Sequence, residues 1–428
     1  MTTTPWLGGA DADTALTLSG SPLSYGALRE QVAGHVLAPG DIVRADYVDD
    51  TAVLVTVLAA LAQGRPVLVS DPLNPAPLPG AVQPSTGLLL MTSGSSGRSR
   101  AVARTAASWF DSFAPFTAAT GLRSTDIVAL TGPLHVSMHL FAALHTLWLG
   151  AELRGAVSDS TLGAAAGADA GPTAAHCTPA VLRRLLSAEA LPARLIVAGA
   201  ALQGAGRAAA EARGSRVTEY YGAAELSFVA VSGRAGRLRP FPGVEIEQRD
   251  AGVAWVRSPY LSLGYAATAH GRVAGGALRR DDRGFASVGD LVELAPDGTV
   301  AVRGRADTAV TTAGSTVLSE DIERALEGIA GLGSVAVLAE PHPVLGEIVV
   351  AVLERTPALE QGQTAVVRTA AAALLNPVER PRRWLLVDAL PRTASGKLAK
   401  GVLRAGLDSG AIPFADLLAS DHGAATDV

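Results

Sequence analysis

The stretch Leu88-Leu-Leu-Met-Thr-Ser-Gly-Ser-Ser-Gly-Arg-Ser-Arg100 decides how this chain is read. An apolar run ends in hydroxyls and glycines, and arginines follow. A short apolar run bounded by turn residues reads as a buried strand. Small residues let backbone N–H groups approach an anion, the hydroxyls add donors, and the arginines offset its charge. By composition the loop is therefore a phosphate cradle. It is not a Walker A loop, because the Gly-Lys-Ser/Thr end is missing. Composition alone also leaves a flexible Gly/Ser turn open.

On either side, short apolar runs alternate with helix-like segments. Residues 87–92, 126–131, 193–198 and 216–221 read as strands, and 137–149, 179–188 and 200–213 as helices. This alternation predicts parallel α/β layers. From about 240 to 304, strand-like pieces at 244–248, 253–256, 291–294 and 300–302 are separated by Gly, Pro and Asp turns, which predicts a β-rich subdomain. A third texture follows. Ser319 reads as an N-cap, with Ile322, Leu326 and Ile329 spaced as one face of an amphipathic helix. Strands at 334–339, 347–353 and 384–387 and a helix at 364–375 complete a small α+β unit. The fold class is thus α/β. Residues 1–304 are expected to form a large domain of several subdomains, and 305–428 a small α+β domain. The alanine-rich segment 163–175 reads as a surface loop.

Composition narrows the function. The chain has 428 residues, 48% of them hydrophobic, enough for a large core and more than one domain. With 35 basic against 40 acidic residues the net charge is −5, which argues against a nucleic-acid partner. Mean hydropathy is +0.29, yet the apolar runs at 51–62 and 140–149 are too short to span a membrane. No basic residue precedes an apolar stretch in 1–10, so no signal peptide is expected. The single cysteine, Cys177, excludes a disulfide framework, reads as a buried apolar residue and fits a reducing compartment; the chain is read as cytoplasmic. Two of the 35 basic residues are lysines, Lys397 and Lys400, both near the C-terminus. The excess of arginine is a compositional bias; Lys400 reads as a solvated neighbour of Lys397.

Further motifs carry chemistry. Tyr220-Tyr-Gly-Ala-Ala-Glu225 puts a carboxylate just past a strand end, where open α/β sheets bind ligands; a carboxylate there can hold Mg²⁺ on a nucleotide phosphate. In Ser287-Val-Gly-Asp290 the aspartate follows a glycine and can accept from ribose hydroxyls. Gly304-Arg-Ala-Asp307 marks the change of texture, and Leu390-Pro-Arg-Thr-Ala-Ser-Gly-Lys397 is a Gly/Ser loop presenting a lysine. Each has a plainer reading in isolation: a turn aspartate at 307, a helix N-terminal carboxylate at 225, a surface lysine at 397. His135 and His139 lie four apart, but no zinc-type motif accompanies them.

In order, these motifs resemble the adenylate-forming (AMP-binding) superfamily of acyl-CoA synthetases, carrier-loading adenylation domains and luciferases, and among them a short acyl-CoA synthetase. Leu23-Ser-Tyr-Gly-Ala-Leu28, Val197-Ala-Gly-Ala-Ala-Leu202 and the segment from Trp255 to Tyr265 add to the likeness, which runs from about residue 23 to 404. It implies activation of a carboxylic acid by ATP to an acyl-adenylate, then transfer to a thiol. The implied acceptor is coenzyme A, with a carrier protein, or a non-catalytic adenylate-binding role, as alternatives.

The resemblance also assigns residues. Thr92, Ser93, Gly94, Ser95, Ser96, Gly97 and Arg100 take the ATP phosphates. Gly199, Ala200, Ala201, Tyr221, Gly222, Asp290 and Arg305 hold adenine and ribose. Glu225 holds Mg²⁺, Lys397 bridges the substrate carboxylate and the α-phosphate, and Asp307 is the hinge for rotation of the small domain. His135, His139 and Phe141 touch the acyl group. The chain departs from the pattern in three places: Ala224 and Val288 stand where the family has threonine, and Arg100 where it has lysine. The N-terminal part is also trimmed. The acid itself is not readable from the sequence.

Overall fold

The structure is a computed structural model. It describes residues 5–417 apart from 19, 73–76, 94–98, 156–170, 203, 234–235, 268–277, 306–307, 313–314, 330, 361–363 and 394–395.

Three sheets organise the described residues. The largest has a parallel half, in which Arg216–Ala223, Arg194–Val197, Ala174–Cys177, Ile127–Ala129, Glu152–Arg154 and Thr14–Thr17 lie side by side. Parallel strands need helical crossovers, and the helices Ser137–Leu149, Pro179–Leu185 and Gly204–Ala212 intervene in the chain. Beyond Arg216–Ala223 the same sheet turns antiparallel through Ser227–Ser232 and Leu238–Pro240 to Val300–Arg305, Asp290–Leu294 and Val253–Arg257. The parallel α/β layers and the β-rich segment expected from the sequence are thus halves of one continuous sheet.

The second sheet holds the opening stretch. Val43–Ala45, Val67–Val69 and Leu88–Ser93 are parallel, and Ser99–Arg104 returns antiparallel to Leu88–Ser93 and pairs with Gly264–Tyr265. The run at 51–62 falls in helix Asp50–Ala62, which buries most of its apolar side chains. Its N-cap Asp49 accepts a hydrogen bond from Ala52 N at 2.8 Å. Among the described residues no helix is long and apolar enough to cross a membrane.

The third sheet lies wholly after residue 308. Val335–His342 and Gly346–Glu354 form an antiparallel pair, and Arg383–Val387 joins Gly346–Glu354 in parallel. Alternation along these strands gives a core on each face. Val335, Val337, Val349 and Ala351 pack with Ile322 and Leu326; Ala336, Leu338, Val350 and Val352 pack with Leu390 and Leu403.

Two expectations are corrected. Ser319 does not cap its helix: Ser319–Glu327 has Leu318 at the N-cap and no side-chain cap bond, and Ser319 Oγ donates to the carbonyl of Thr308. The hydroxyl is spent on tying the helix start to the segment before it. The end of 163–175 is not surface loop: Ala174 and Ala175 begin a buried strand, Ala174–Cys177, at the centre of the parallel sheet. Alanine leaves no apolar periodicity for a sequence reading to detect. Residues 156–170 lie outside the described residues.

Candidate active site

A cleft of about 2130 Å³ opens at the carboxyl ends of the parallel strands, with the small C-terminal sheet on its other side. Its floor begins where strands stop. Gly199 follows Arg194–Val197 with φ +92°, a left-handed geometry suited to glycine. Ala200 and Ala201 continue along the cleft wall. Gly222 sits where a Cβ would run into the carbonyl of Ser227, so the strand just after Tyr221 tolerates no larger residue there. Ser227 has φ +61°, rare outside glycine, and the local backbone is tight.

Tyr221, Asp290 and Arg305 form one cluster. Tyr221 Oη donates to Asp290 Oδ2 at 2.5 Å, and Arg305 Nε stands 3.4 Å from Asp290 Oδ1. Asp290 and Arg305 face each other in register across their strands. Burial raises the Asp290 pKa above the usual aspartate value; the Tyr221 hydrogen bond and the charges of Arg305 and Lys397 oppose it, and Glu225 adds to it. Arg305 is anchored by Nη2 donating to the Val288 carbonyl at 2.9 Å, so Val288 contributes its backbone where its side chain has no hydroxyl.

Glu225 lines the cleft just past Arg216–Ala223, and Tyr265 Oη donates to its Oε1 at 2.8 Å. Arg100 also lines the cleft, its guanidinium 5.8 Å from the Tyr265 ring. Thr92 lies directly opposite Arg100 on the hairpin and lines the cleft beside it. Ser93 ends the strand. Gly94, Ser95, Ser96 and Gly97 fall outside the described residues, as does Asp307.

Lys397 comes from the other side of the cleft. A Cβ on Gly199 would lie 3.5 Å from Lys397 Cε, so the ammonium stem passes over the glycine turn. Protein crowding lowers the Lys397 pKa from the usual lysine value; Asp290 opposes this, Arg305 reinforces it, and Glu225 opposes it. The side chain is still open to solvent through the cleft, so water screens much of the effect. Sequence positions 225, 290, 305 and 397 thus meet in one place.

The histidines separate. His135 lines the cleft with Nε2 3.7 Å from Asp71 Oδ2; burial lowers its pKa and Asp71 opposes. Phe141 lines it as well. His139 does not: it is buried 3% exposed, packs against Gly132, and burial brings its pKa to about 4. One helical turn puts it behind the wall that His135 and Phe141 form. Cys177 is fully buried, its thiol pushed up to about 12 by desolvation.

Lys400 is corrected too. It is no solvated neighbour: its Nζ lies 2.9 Å from Glu323 Oε1 and 3.3 Å from Glu320 Oε1. Glu323 also accepts from Val337 N at 2.6 Å. Burial raises its pKa to about 7 against the opposing charge of Lys400. Glu320 on the first turn of Ser319–Glu327 looks like dipole compensation in sequence, and only the packing of helix Lys400–Ser409 shows that it and Glu323 share Lys400. Two further lining residues lacked a motif. Glu219 accepts from Leu202 N at 3.2 Å and faces Arg207, and Arg104 is fully buried.

Comparison with known proteins matches this geometry. The sequence model of the AMP-binding enzyme family covers residues 24–266, and that of the AMP-binding enzyme C-terminal domain covers 321–397. An uncharacterized acyl–CoA ligase of Bacillus subtilis, YhfT, is 28% identical over 342 residues, spanning 74% of this chain and 68% of its own. The medium/long-chain-fatty-acid–[acyl-carrier-protein] ligase FadD10 of Mycobacterium tuberculosis is 27% identical over 226 residues; the match spans 46% of this chain and 41% of that protein, less than half its length. In fold, the crystal structure of ATP-bound MatB from Rhodopseudomonas palustris superposes with a TM-score of 0.74 at 20% identity, covering 92% of this chain and 95% of that one. The first family model alone takes in more than half of the sequence, the second ends on Lys397, and the strand-end cleft lies where both meet: the chain belongs to the AMP-binding enzyme family, the adenylate-forming superfamily.

Proposed function

We propose that the protein is an AMP-forming acid–thiol ligase whose acceptor is coenzyme A. A carboxylate oxygen of the acid attacks the α-phosphorus of ATP, the bond to the β-phosphate bridging oxygen breaks, and pyrophosphate leaves. The thiol sulfur of coenzyme A then attacks the acyl carbon and loses its proton, the bond to AMP breaks, and a thioester is released. The observation that supports this most is the convergence of Lys397, Asp290, Arg305 and Glu225 in one strand-end cleft. In this reading Lys397 stabilises charge at the α-phosphate, where a compact ammonium is suited. Asp290, held by Tyr221 and Arg305, accepts from the ribose hydroxyls. Thr92 and Arg100, with Ser93 and the loop 94–97, take the β- and γ-phosphates. Gly199, Ala200, Ala201 and Gly222 flank the adenine, and His135 and Phe141 face the acyl group.

Mg²⁺ bound with ATP would offset charge on the phosphate oxygens. Glu225 fits as its protein ligand, because Mg²⁺ keeps waters and phosphate oxygens and needs few carboxylates. Among the described residues there is no cluster of three or more His, Cys, Asp or Glu that would hold a metal by itself. The small domain, 305–428, turns about the segment holding Asp307 between the two half-reactions. Here Thr308 Oγ1 donates to the Arg305 carbonyl at 3.0 Å and to Glu320 Oε1 at 2.8 Å. We place the reaction in the cytoplasm.

The test is ATP–pyrophosphate exchange across a panel of carboxylic acids, followed by mass detection of the product with coenzyme A and with a holo carrier protein. Nucleotide binding without exchange for any acid refutes the ligase reading. A product formed only on the carrier protein moves the acceptor to the class that FadD10 names.

A further inference from the structure

The backbone around Glu225 is held on both sides. Leu226 N donates to the Ala223 carbonyl at 3.1 Å and closes a turn with Glu225 inside it, and Ser262 N donates to the Glu225 carbonyl at 2.9 Å. The carboxylate lies beyond both bonds. A glutamate side chain is long, and fixing it costs rotamer freedom that a partner must offset. The partner is Tyr265, whose Oη donates to Glu225 Oε1 at 2.8 Å. Among the described residues Oε2 accepts no hydrogen bond, and Glu225 lines the cleft.

Tyr265 is itself built into place. Glu225 follows strand Arg216–Ala223 of the largest sheet, whereas Tyr265 belongs to the second sheet, so the contact joins the two. Gly264 stands opposite Ala103 and Tyr265 opposite Val102. Leu263 N donates to the Ala103 carbonyl and Ala266 N to the Ala101 carbonyl, both at 2.8 Å, which fixes the register on either side of Tyr265. The backbone N–H of Leu278 donates to the Tyr265 hydroxyl oxygen, and the hydroxyl proton is left for Glu225. The segment 262–266 thus grips Glu225 twice, at its carbonyl through Ser262 and at its carboxylate through Tyr265. The Tyr265 ring also lies 5.8 Å from the Arg100 guanidinium, on the strand with which Tyr265 pairs. One side chain therefore touches both the cation assigned to the phosphates and the carboxylate assigned to the metal.

We propose that Tyr265 is a positioning residue of this site: its hydroxyl occupies Glu225 Oε1 and leaves Oε2 as the ligand oxygen for the Mg²⁺ that enters with ATP. This deepens the ligase reading and rests on its assignment of Glu225. A hydrogen-bonded partner behind a ligating carboxylate orients it, and losing that partner commonly lowers metal affinity by about 10- to 100-fold.

The experiment titrates ATP calorimetrically into wild-type protein, Tyr265→Phe and Glu225→Gln, once with excess Mg²⁺ and once with EDTA. The ratio of the two affinities isolates the share of the metal. Mg²⁺ should tighten ATP binding to the wild type; in Tyr265→Phe that gain should shrink by about 10-fold, with binding in EDTA within about 2-fold of wild type. In ATP–pyrophosphate exchange the same variant should need about 10-fold more Mg²⁺ to reach half of its own maximal rate. A Tyr265→Phe protein, folded by near-ultraviolet circular dichroism, that keeps the full Mg²⁺ gain overturns the proposal. So does one in which ATP weakens equally with Mg²⁺ and with EDTA, the result of a hydroxyl that only supports the fold. Glu225→Gln separates this inference from the reading beneath it. A gain lost in Glu225→Gln and kept in Tyr265→Phe removes the inference alone, whereas a gain kept in Glu225→Gln removes the metal assignment and the inference with it. The titrations contain no acid, so they decide the role of Tyr265 even where no acid supports exchange and the ligase reading fails.

Discussion

Replacing His176 by leucine should make the protein more resistant to acid. His176 sits in the central strand Ala174–Cys177, 1% exposed, stacked on Phe116 at 5.7 Å, and neither ring nitrogen has a hydrogen-bond partner among the described residues. His139 and His145 are close enough for their charges to act on it. All three are held below the free histidine value of 6.5 by burial: His139 to about 4, His145 to about 3, and His176 well below it. The sign follows from proton uptake. A base with a lowered folded pKa stays neutral in the native protein, while the unfolded chain takes up a proton below 6.5, so stability is present above that pH and lost as pH falls.

Between pH 7 and pH 5 each such histidine removes RT ln[(1 + 10^1.5)/(1 + 10^−0.5)], about 1.9 kcal/mol, and three remove about 6 kcal/mol. Since domains are stable by about 5–15 kcal/mol, this is a large share. His176→Leu should be neutral or slightly stabilising at pH 7, because no hydrogen bond is lost, and should shrink the acid loss by about 1.9 kcal/mol. Urea unfolding followed by tryptophan fluorescence at both pH values measures this. Asp290, Glu219 and Glu323, whose raised pKa values act in the opposite direction, are common to both proteins and cancel in the difference. Equal losses in wild type and variant refute the reasoning.

Three other outcomes are expected. Lys397→Ala should slow adenylate formation by about 100-fold or more, while thioester formation from a supplied acyl-adenylate stays near wild type; equal loss in both half-reactions, each measured in single turnover, removes the assigned role. Tyr221→Phe strips Asp290 of its hydroxyl donor and should raise the KM for ATP by about 5- to 10-fold with little change in kcat, as steady-state kinetics will show. Lys400→Met leaves Glu323 buried without its cation and should cost about 3–5 kcal/mol at pH 8, less at pH 5 where the carboxyl is protonated; urea midpoints at the two pH values are the check.

The cleft was legible because its signals are local in the chain. A glycine or carboxylate just after an apolar run marks a strand end, as at Gly199 and Glu225, and the Gly396-Lys397 pair is marked by its Gly/Ser loop. The helix Ser137–Leu149 was legible to the residue, since a continuous apolar segment closed by a left-handed Gly150 has few alternatives. What depended on three-dimensional neighbours was not. Alternation in Ser-Arg-Ala-Val-Ala-Arg puts Arg100 and Arg104 on one face, which in one dimension reads as a solvated face; only the packing of Trp109 and Tyr260 shows that the inner half is closed off. Lys400 reads as surface until helix Lys400–Ser409 is set against Ser319–Glu327. Four histidines look like ordinary scatter, and His176 meets His139 and His145 only because helix Ser137–Leu149 packs on strand Ala174–Cys177.

The placement of the two lysines gives the molecule an unusual chemical handle. One ε-amine opens into the cleft beside Asp290 and Glu225, and the other is 20% exposed and locked between two glutamates. An amine-directed label therefore has, apart from the chain terminus, one accessible ε-amine, and it stands at the point where the two halves of the molecule face each other. A fluorophore attached there would report the opening of the cleft directly, without cysteine engineering and with the nucleotide itself as the protecting agent.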